Sequence, residues 1–163
     1  MEELFAPPGE AWQRVSPKLC THYRTVVLGA VGLVAVALVG LSLLWLHSLA
    51  AAGAVVVLAV LAAALGWVMS ARRQQAWGYA EREQDLFITS GVMFRQLVAV
   101  PYGRMQFVDV TAGPLERFLG IATVRMHTAT PNTQARIPGV LPAEAARLRD
   151  RLTTLGEAWA AGL

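Results

Sequence analysis

Two long apolar segments, followed by shorter alternating ones, divide the chain into two parts. Residues 26–46 and 49–69 contain no Lys, Arg, Asp or Glu, and each segment is 21 residues long. A helix rises about 1.5 Å per residue, so roughly 20 apolar residues cross the ~30 Å hydrocarbon core of a bilayer. The pattern predicts a transmembrane hairpin of two α-helices over residues 26–69.

A signal peptide and a buried helical hairpin of a soluble protein are the alternatives. A signal peptide carries an apolar region of only about 7–15 residues, whereas here 25 mixed residues precede the first apolar segment and a second segment follows. A soluble protein would have to enclose both segments in a core that the remaining residues are too few to build. The low charged fraction, 15% against about 25% in soluble domains, also favours a membrane protein.

Charged flanks predict the orientation, because Lys and Arg of short flanks stay on the cytoplasmic side. Six such residues flank the hairpin and none lies in its connection: Arg14, Lys18, Arg24, Arg72, Arg73 and Arg82. We therefore predict a multi-pass protein of the plasma membrane with both termini cytoplasmic. Residues 1–25, with mixed charge and Pro7-Pro8-Gly9, are interpreted as a flexible cytoplasmic leader.

The hairpin is expected to pack through small residues, since these allow close helix approach in lipid. The candidates are Gly29, Gly32 and Gly40 in the first helix and Ala59, Ala62, Ala63 and Gly66 in the second. Homo-oligomerisation is the second use that such residues could have.

Residues 77–163 change to the strand period and predict a β-rich domain. Strands are expected at 86–88 and 92–100, joined by a Ser90-Gly91 turn, and at 105–112, 121–128 and 134–137. Gly113-Pro114 is read as a turn, with Leu115, Phe118 and Leu119 packed under the sheet and Arg117 pointing away.

A C-terminal amphipathic helix is predicted by one apolar stripe. Its members are Leu141, Ala145, Leu148, Leu152, Leu155 and Trp159, and Pro142 suits the first helical position. Strands followed by one such helix suggest a small barrel whose open end the helix closes.

Three stretches resemble a known family. They are Leu86-Phe87-Ile88-Thr89-Ser90-Gly91-Val92, Val100-Pro101-Tyr102-Gly103-Arg104-Met105-Gln106, and Gly113-Pro114-Leu115-Glu116-Arg117-Phe118-Leu119-Gly120-Ile121-Ala122. Together with the upstream hairpin, they resemble the YdbS-like bacterial pleckstrin-homology-like (bPH2-type) membrane proteins. The resemblance implies a pleckstrin-homology-like (PH-like) barrel with a C-terminal helix, and a second membrane protein with related domains as partner.

No residue pattern indicates catalysis. His22, His47 and His127 are far apart in sequence, no spacing of acids marks a carboxylate pair, and the single Cys20 is expected to be a packed thiol. We expect no catalytic residues, no metal site, no cofactor and no nucleic-acid partner, and hence a protein that is not an enzyme.

Arginines remain as candidate binding residues, because residues 70–163 hold eleven Arg against eight acids. Arg95, Arg104, Arg117, Arg72 and Arg73 are the candidates for contacting a partner or membrane lipid. The leading hypothesis is a membrane-anchored interaction module that helps to assemble or regulate a membrane complex. The alternative is a domain that senses anionic lipid at the inner membrane surface.

Overall fold

The structure, a computed structural model of the chain, describes residues 12–45, 47–128 and 135–160. The described residues form two units. Residues 20–72 make up the helical hairpin. The segment that ends at Leu19 and the part that begins at Arg73 make up the β domain. The first eleven residues of the predicted leader, Leu46 of the first predicted span, Gln134 of a predicted strand and residues 161–163 of the predicted domain lie outside the described residues.

The hairpin consists of α1 (Lys18–Trp45) and α2 (Leu49–Gln75), both long and apolar enough to cross a membrane. Each helix extends beyond the apolar segment that predicted it, because charged and polar residues continue the helix at one end. Ser16 caps α1, since its hydroxyl accepts a hydrogen bond from the Lys18 amide at 3.3 Å.

Gly66 is the small residue that brings α1 and α2 close. A Cβ atom at Gly66 would overlap Cγ1 of Val27, so a larger side chain does not fit there. Gly29, Gly32 and Gly40 have no atom within 4 Å of such a position. The prediction that these three glycines form the helix contact is wrong, because they lie away from α2.

The first sheet of the β domain has four antiparallel strands in the order β1-β2-β3-β4. These are β1 (Gln13–Arg14), β2 (Gly78–Glu81), β3 (Asp85–Ser90) and β4 (Gln96–Pro101). The predicted hairpin of β3 and β4 is confirmed, but residues 91–95 form its loop in place of a Ser90-Gly91 turn. Gly91 has φ 98°, and a Cβ there would overlap the carbonyl of Phe94.

The second sheet is antiparallel with the order β5-β6-β7. Its strands are β5 (Met105–Thr111), β6 (Ala122–Thr128) and β7 (Ala135–Val140), and β7 continues through Pro138-Gly139, where we expected it to end. Between β5 and β6 the chain forms a short helix, α3 (Pro114–Leu119), where a turn was predicted. Phe118 does not pack under the sheet as predicted, since 87% of its surface is exposed.

The C-terminal helix α4 (Pro142–Ala160) confirms the predicted amphipathic helix. Ala145, Leu148 and Leu152 are buried against β5, β6 and a 3₁₀ turn at Tyr102–Arg104. The two ends of the predicted stripe, Leu141 and Trp159, are exposed. The fold is PH-like, but the barrel is not closed, since β4 and β5 are not hydrogen-bonded to each other.

Residues 12–19, which precede α1 and begin its first turn, belong to the β domain, and this corrects the second half of the predicted leader. Gln13 and Arg14 pair with β2, and Val15 and Leu19 are buried with 4% and 1% of their surface exposed. The Ser16 amide donates a hydrogen bond to the Gly139 carbonyl at 2.9 Å. Apolar side chains fix this segment, and composition alone could not reveal them because they are few and surrounded by charges.

Candidate interaction and membrane-contact sites

The structure does not bring Arg95, Arg104 and Arg117 together, although all three side chains are exposed. Arg95 ends the β3–β4 loop, whereas Arg104 follows the opposite end of β4, where Asp85 pairs with Pro101. A strand rises about 3.3 Å per residue, so the six-residue strand β4 separates Arg95 from Arg104 by roughly 20 Å. The two arginines therefore lie on different surfaces.

Arg72 and Arg73 lie in the last two turns of α2, and both side chains are exposed. In the helical hairpin, Arg24 of α1 lies over the ring of Trp67 of α2, with 3.9 Å between the guanidinium carbon and the ring centroid. Such a cation–π contact links the two helices near the charged flank of the hairpin.

The β3–β4 loop lies at the end of the sheet where the chain passes to the membrane helices. Gly78, three residues after the end of α2, pairs with both Arg14 and Thr89. The loop begins two residues after Thr89 and exposes 81% of the surface of Met93 and of Phe94. The loop therefore presents two large apolar side chains beside Arg95.

Helix α3 lies near the same junction. A Cβ atom on Gly120 would lie 3.5 Å from Nζ of Lys18, the first residue of α1. Pro114 starts the helix and Gly120 ends it with φ 66°. The carboxylate of Glu116 accepts hydrogen bonds from the Gly113 amide at 2.8 Å and the Thr123 hydroxyl at 3.0 Å. These bonds fix a short helix whose outer surface carries Arg117 and the exposed Phe118.

A groove of about 320 Å³ lies between β5 and α4. Its strand side and its helix side are lined by Met105, Gln106, Phe107, Val108, Leu152, Thr153, Gly156 and Glu157. The Phe107 ring is 57% exposed and stacks on His127, with 4.1 Å between ring centroids. Arg104 precedes β5 directly, so a cation lies at the beginning of the strand that forms one wall of this groove.

A polar cluster joins β2 to α4. The Tyr79 hydroxyl donates to Oε1 of Glu144 at 3.0 Å, and Arg147 donates to both oxygens of Glu144 and to Glu81. Nε of Arg151 lies 3.0 Å from Oε2 of Glu81, whose side chain is only 7% exposed. Two carboxylates and two guanidinium groups balance each other, so this cluster fastens the helix to the sheet and offers no net charge to a ligand.

Proton affinities in the cluster agree with a structural role. Burial raises the pKa of Tyr79, and the hydrogen bond to Glu144 raises it further. The hydrogen bond from Arg147 holds the pKa of Glu144 below its usual value. Burial likewise raises the pKa of Tyr102 to about 12, while its hydroxyl donates to the Arg82 carbonyl at 2.9 Å. Each group keeps the protonation state that completes its hydrogen bonds, and neither tyrosine is activated as a nucleophile.

Sequence reasoning missed Met93, Phe94 and Phe118 as candidate site residues. Phe94 and Phe118 each lie next to an arginine and within three residues of a glycine. We read the first as part of a strand and the second as a core residue. It also missed the Glu81–Arg147 pair, because its partners are 66 residues apart and no local pattern joins them.

Among the described residues, no group of three or more His, Cys, Asp or Glu side chains could hold a metal ion.

Two apolar membrane-length helices joined to two antiparallel sheets and a C-terminal helix define a membrane protein with a PH-like domain. A family model described as a bacterial PH domain matches residues 24–155. The chain therefore belongs to the bacterial PH domain family.

The UPF0699 transmembrane protein YdbS of Bacillus subtilis (strain 168) is 39% identical to the chain over 83 residues. The match covers 51% of this chain and 51% of the relative, so the chain spans about half the length of the relative it matches. No solved structure matches the chain significantly. The resemblance inferred from the three motifs is thus confirmed.

Proposed function

We propose that this protein is a membrane-anchored, non-enzymatic interaction module that helps to assemble or regulate a membrane complex. The observation that carries the proposal is the groove between β5 and α4, beside an edge strand that pairs, among the strands the structure describes, with β6 alone. Such a strand offers its backbone groups to an additional strand, and an adjacent groove selects the side chains of that strand.

The chemistry of the groove favours an extended peptide segment. Met105 and Val108 supply apolar contacts, while Gln106 and Thr153 supply polar ones. The partner is a segment of a second membrane protein with related domains.

Arg104 supports partner binding among the predicted arginines. It lies immediately before β5 and is exposed. An acidic residue at one end of the partner segment would meet this guanidinium group, and such a rim charge chiefly affects the association rate and its salt dependence. Arg117 lies beyond the other end of β5 and is not part of this surface.

Anchoring supports the proposal, because a tether raises the effective concentration of a partner in the same membrane. The orientation we propose has both termini in the cytoplasm, and it rests on the six flanking cations. The non-enzymatic character is proposed because the sequence contains no recognisable catalytic or metal-binding pattern.

Site-specific photo-crosslinking in cells tests the groove. A photoreactive amino acid at Phe107 should capture a membrane protein through a segment that mass spectrometry maps to one extended stretch. The control position is Thr154, which is exposed on α4, does not line the groove and donates its hydroxyl hydrogen bond to the Asp150 carbonyl. Equal capture from both positions would contradict the groove as the binding surface.

A matched pair of variants tests the charge. Arg104→Glu should reduce the crosslink from Phe107, because the reversed charge would repel the acidic end of the partner. Arg136→Glu makes the same change in charge at an exposed position of β7 that does not line the groove, and it should leave the crosslink unchanged. The proposal fails if the two variants lower the crosslink equally.

A further inference from the structure

We propose that the β domain contacts the membrane surface directly through a second apolar anchor, separate from the two spanning helices. We call it the membrane rim and define it as the β3–β4 loop, residues 91–95, together with α3. The membrane rim binds lipid headgroups, and its side chains Met93, Phe94 and Phe118 insert into the headgroup region.

Exposure is the first observation behind the rim. Phe94 and Met93 expose 81% of their surface and Phe118 exposes 87%, the largest values for bulky apolar side chains of the β domain among the described residues. Single exposed apolar residues are common on soluble domains, but aromatic and other large apolar side chains beside cations are typical of segments that lie in a membrane interface.

Chain connectivity is the second observation, because it brings both elements to the residues that join the membrane helices. Gly78 follows α2 after two residues and pairs with Thr89, next to the loop. β2 starts at Gly78 and runs away from this end of the sheet. The β3–β4 loop therefore projects beyond the first residue of β2. Lys18 opens α1 and lies beside Gly120, at the end of α3.

The segment before α1 links the two elements of the rim. Arg14 pairs with Gly78 on the loop side, and Lys18 lies beside Gly120 on the α3 side. Arg14 and Lys18 are four residues apart, so at most about 14 Å separates them at roughly 3.5 Å per residue. Both elements of the rim therefore adjoin the residues that lead into α1.

Charge complementarity is the third observation. Lys18, Arg95 and Arg117 place cations beside the apolar side chains, and the loop 91–95 contains no acid. The one acid of α3, Glu116, directs its carboxylate to the Gly113 amide and the Thr123 hydroxyl. The rim is thus complementary to anionic headgroups. It uses none of the residues that line the groove between β5 and α4, so it stands or fails independently of the proposed partner.

Lipid-borne quenchers test the rim in the full-length protein. In a Cys20→Ser background, single cysteines replace Phe94, Phe118 or Phe107, and each carries an environment-sensitive fluorophore. Because all three side chains are exposed, the labels should not disturb the core. The proteins are reconstituted into vesicles of anionic and zwitterionic lipid, with or without lipids that carry a nitroxide near the headgroup.

The labels at positions 94 and 118 should be quenched several-fold more strongly than the label at position 107. Exchange of anionic for zwitterionic lipid should weaken that quenching at both rim positions. Either rim label quenched no more than position 107 would overturn the proposal. So would a blue-shifted emission without quenching, since it would show that protein and not lipid covers the rim.

Discussion

Excision of the β domain at Trp77 should yield an unstable fragment, because it removes a segment that completes the domain. The fragment 77–163 lacks β1 and the buried side chains Val15 and Leu19. A fusion that joins residues 12–19 to residues 73–163 through a flexible linker keeps them. We expect the fusion to fold cooperatively and the fragment to be largely unfolded under the same conditions.

The magnitude follows from burial. Val15 and Leu19 are almost fully buried, and two such side chains contribute about 3–6 kcal/mol together. The hydrogen bond from Ser16 to Gly139 adds about 0.5–1.5 kcal/mol. Small domains are stable by only about 5–15 kcal/mol, so the loss is comparable to the whole free energy of unfolding.

Urea unfolding followed by circular dichroism compares the fragment with the fusion. Within the fusion, Leu19→Ala should cost about 2–5 kcal/mol, whereas Gln13→Ala, at an exposed position of β1, should cost little. An equal urea midpoint for the fragment and the fusion would refute the assignment of this segment to the β domain.

Two further predictions concern the hairpin. In a variant that lacks Cys20, a cysteine in place of His47, which is exposed in the connection, should react with a membrane-impermeant thiol reagent in intact cells. A cysteine in place of Gln75 should not react. The opposite pattern would reverse the proposed topology. Gly66→Ala should lower the free energy of unfolding in detergent by about 1–3 kcal/mol, because the added methyl group overpacks the helix contact. Gly32→Ala, where no atom lies nearby, should leave it unchanged, and equal effects would contradict the contact.

The membrane hairpin and the order of most strands could be predicted because their signals are local. An uncharged segment of about 20 residues has the length that a helix needs to span a bilayer, and shorter apolar segments are the rule in soluble cores. The β3–β4 hairpin, β5, β6 and α4 likewise show their period within a few residues. Val92, Met93 and Phe94 have strand-forming side chains, however, so a loop was read as part of a strand.

Non-local pairing accounts for what the sequence could not predict. β1 has two residues and pairs with a strand more than sixty positions later, so no window of sequence contains both. The predicted arginines were found individually, but their distribution over separate surfaces depends on strand direction, which places Arg95 and Arg104 at opposite ends of β4. The exposure of Phe118 follows from the caps of α3, which turn a predicted core residue outward.

We propose that the β domain binds its partner at the groove beside β5 while the hairpin anchors the chain in the membrane. The most direct test measures crosslinking from Phe107 in cells for the intact chain and for the soluble fusion of residues 12–19 and 73–163, expressed at equal levels. The intact chain should capture its membrane partner many-fold more efficiently than the fusion does, because anchoring raises the effective concentration. Equal capture by the folded, unanchored fusion would contradict it.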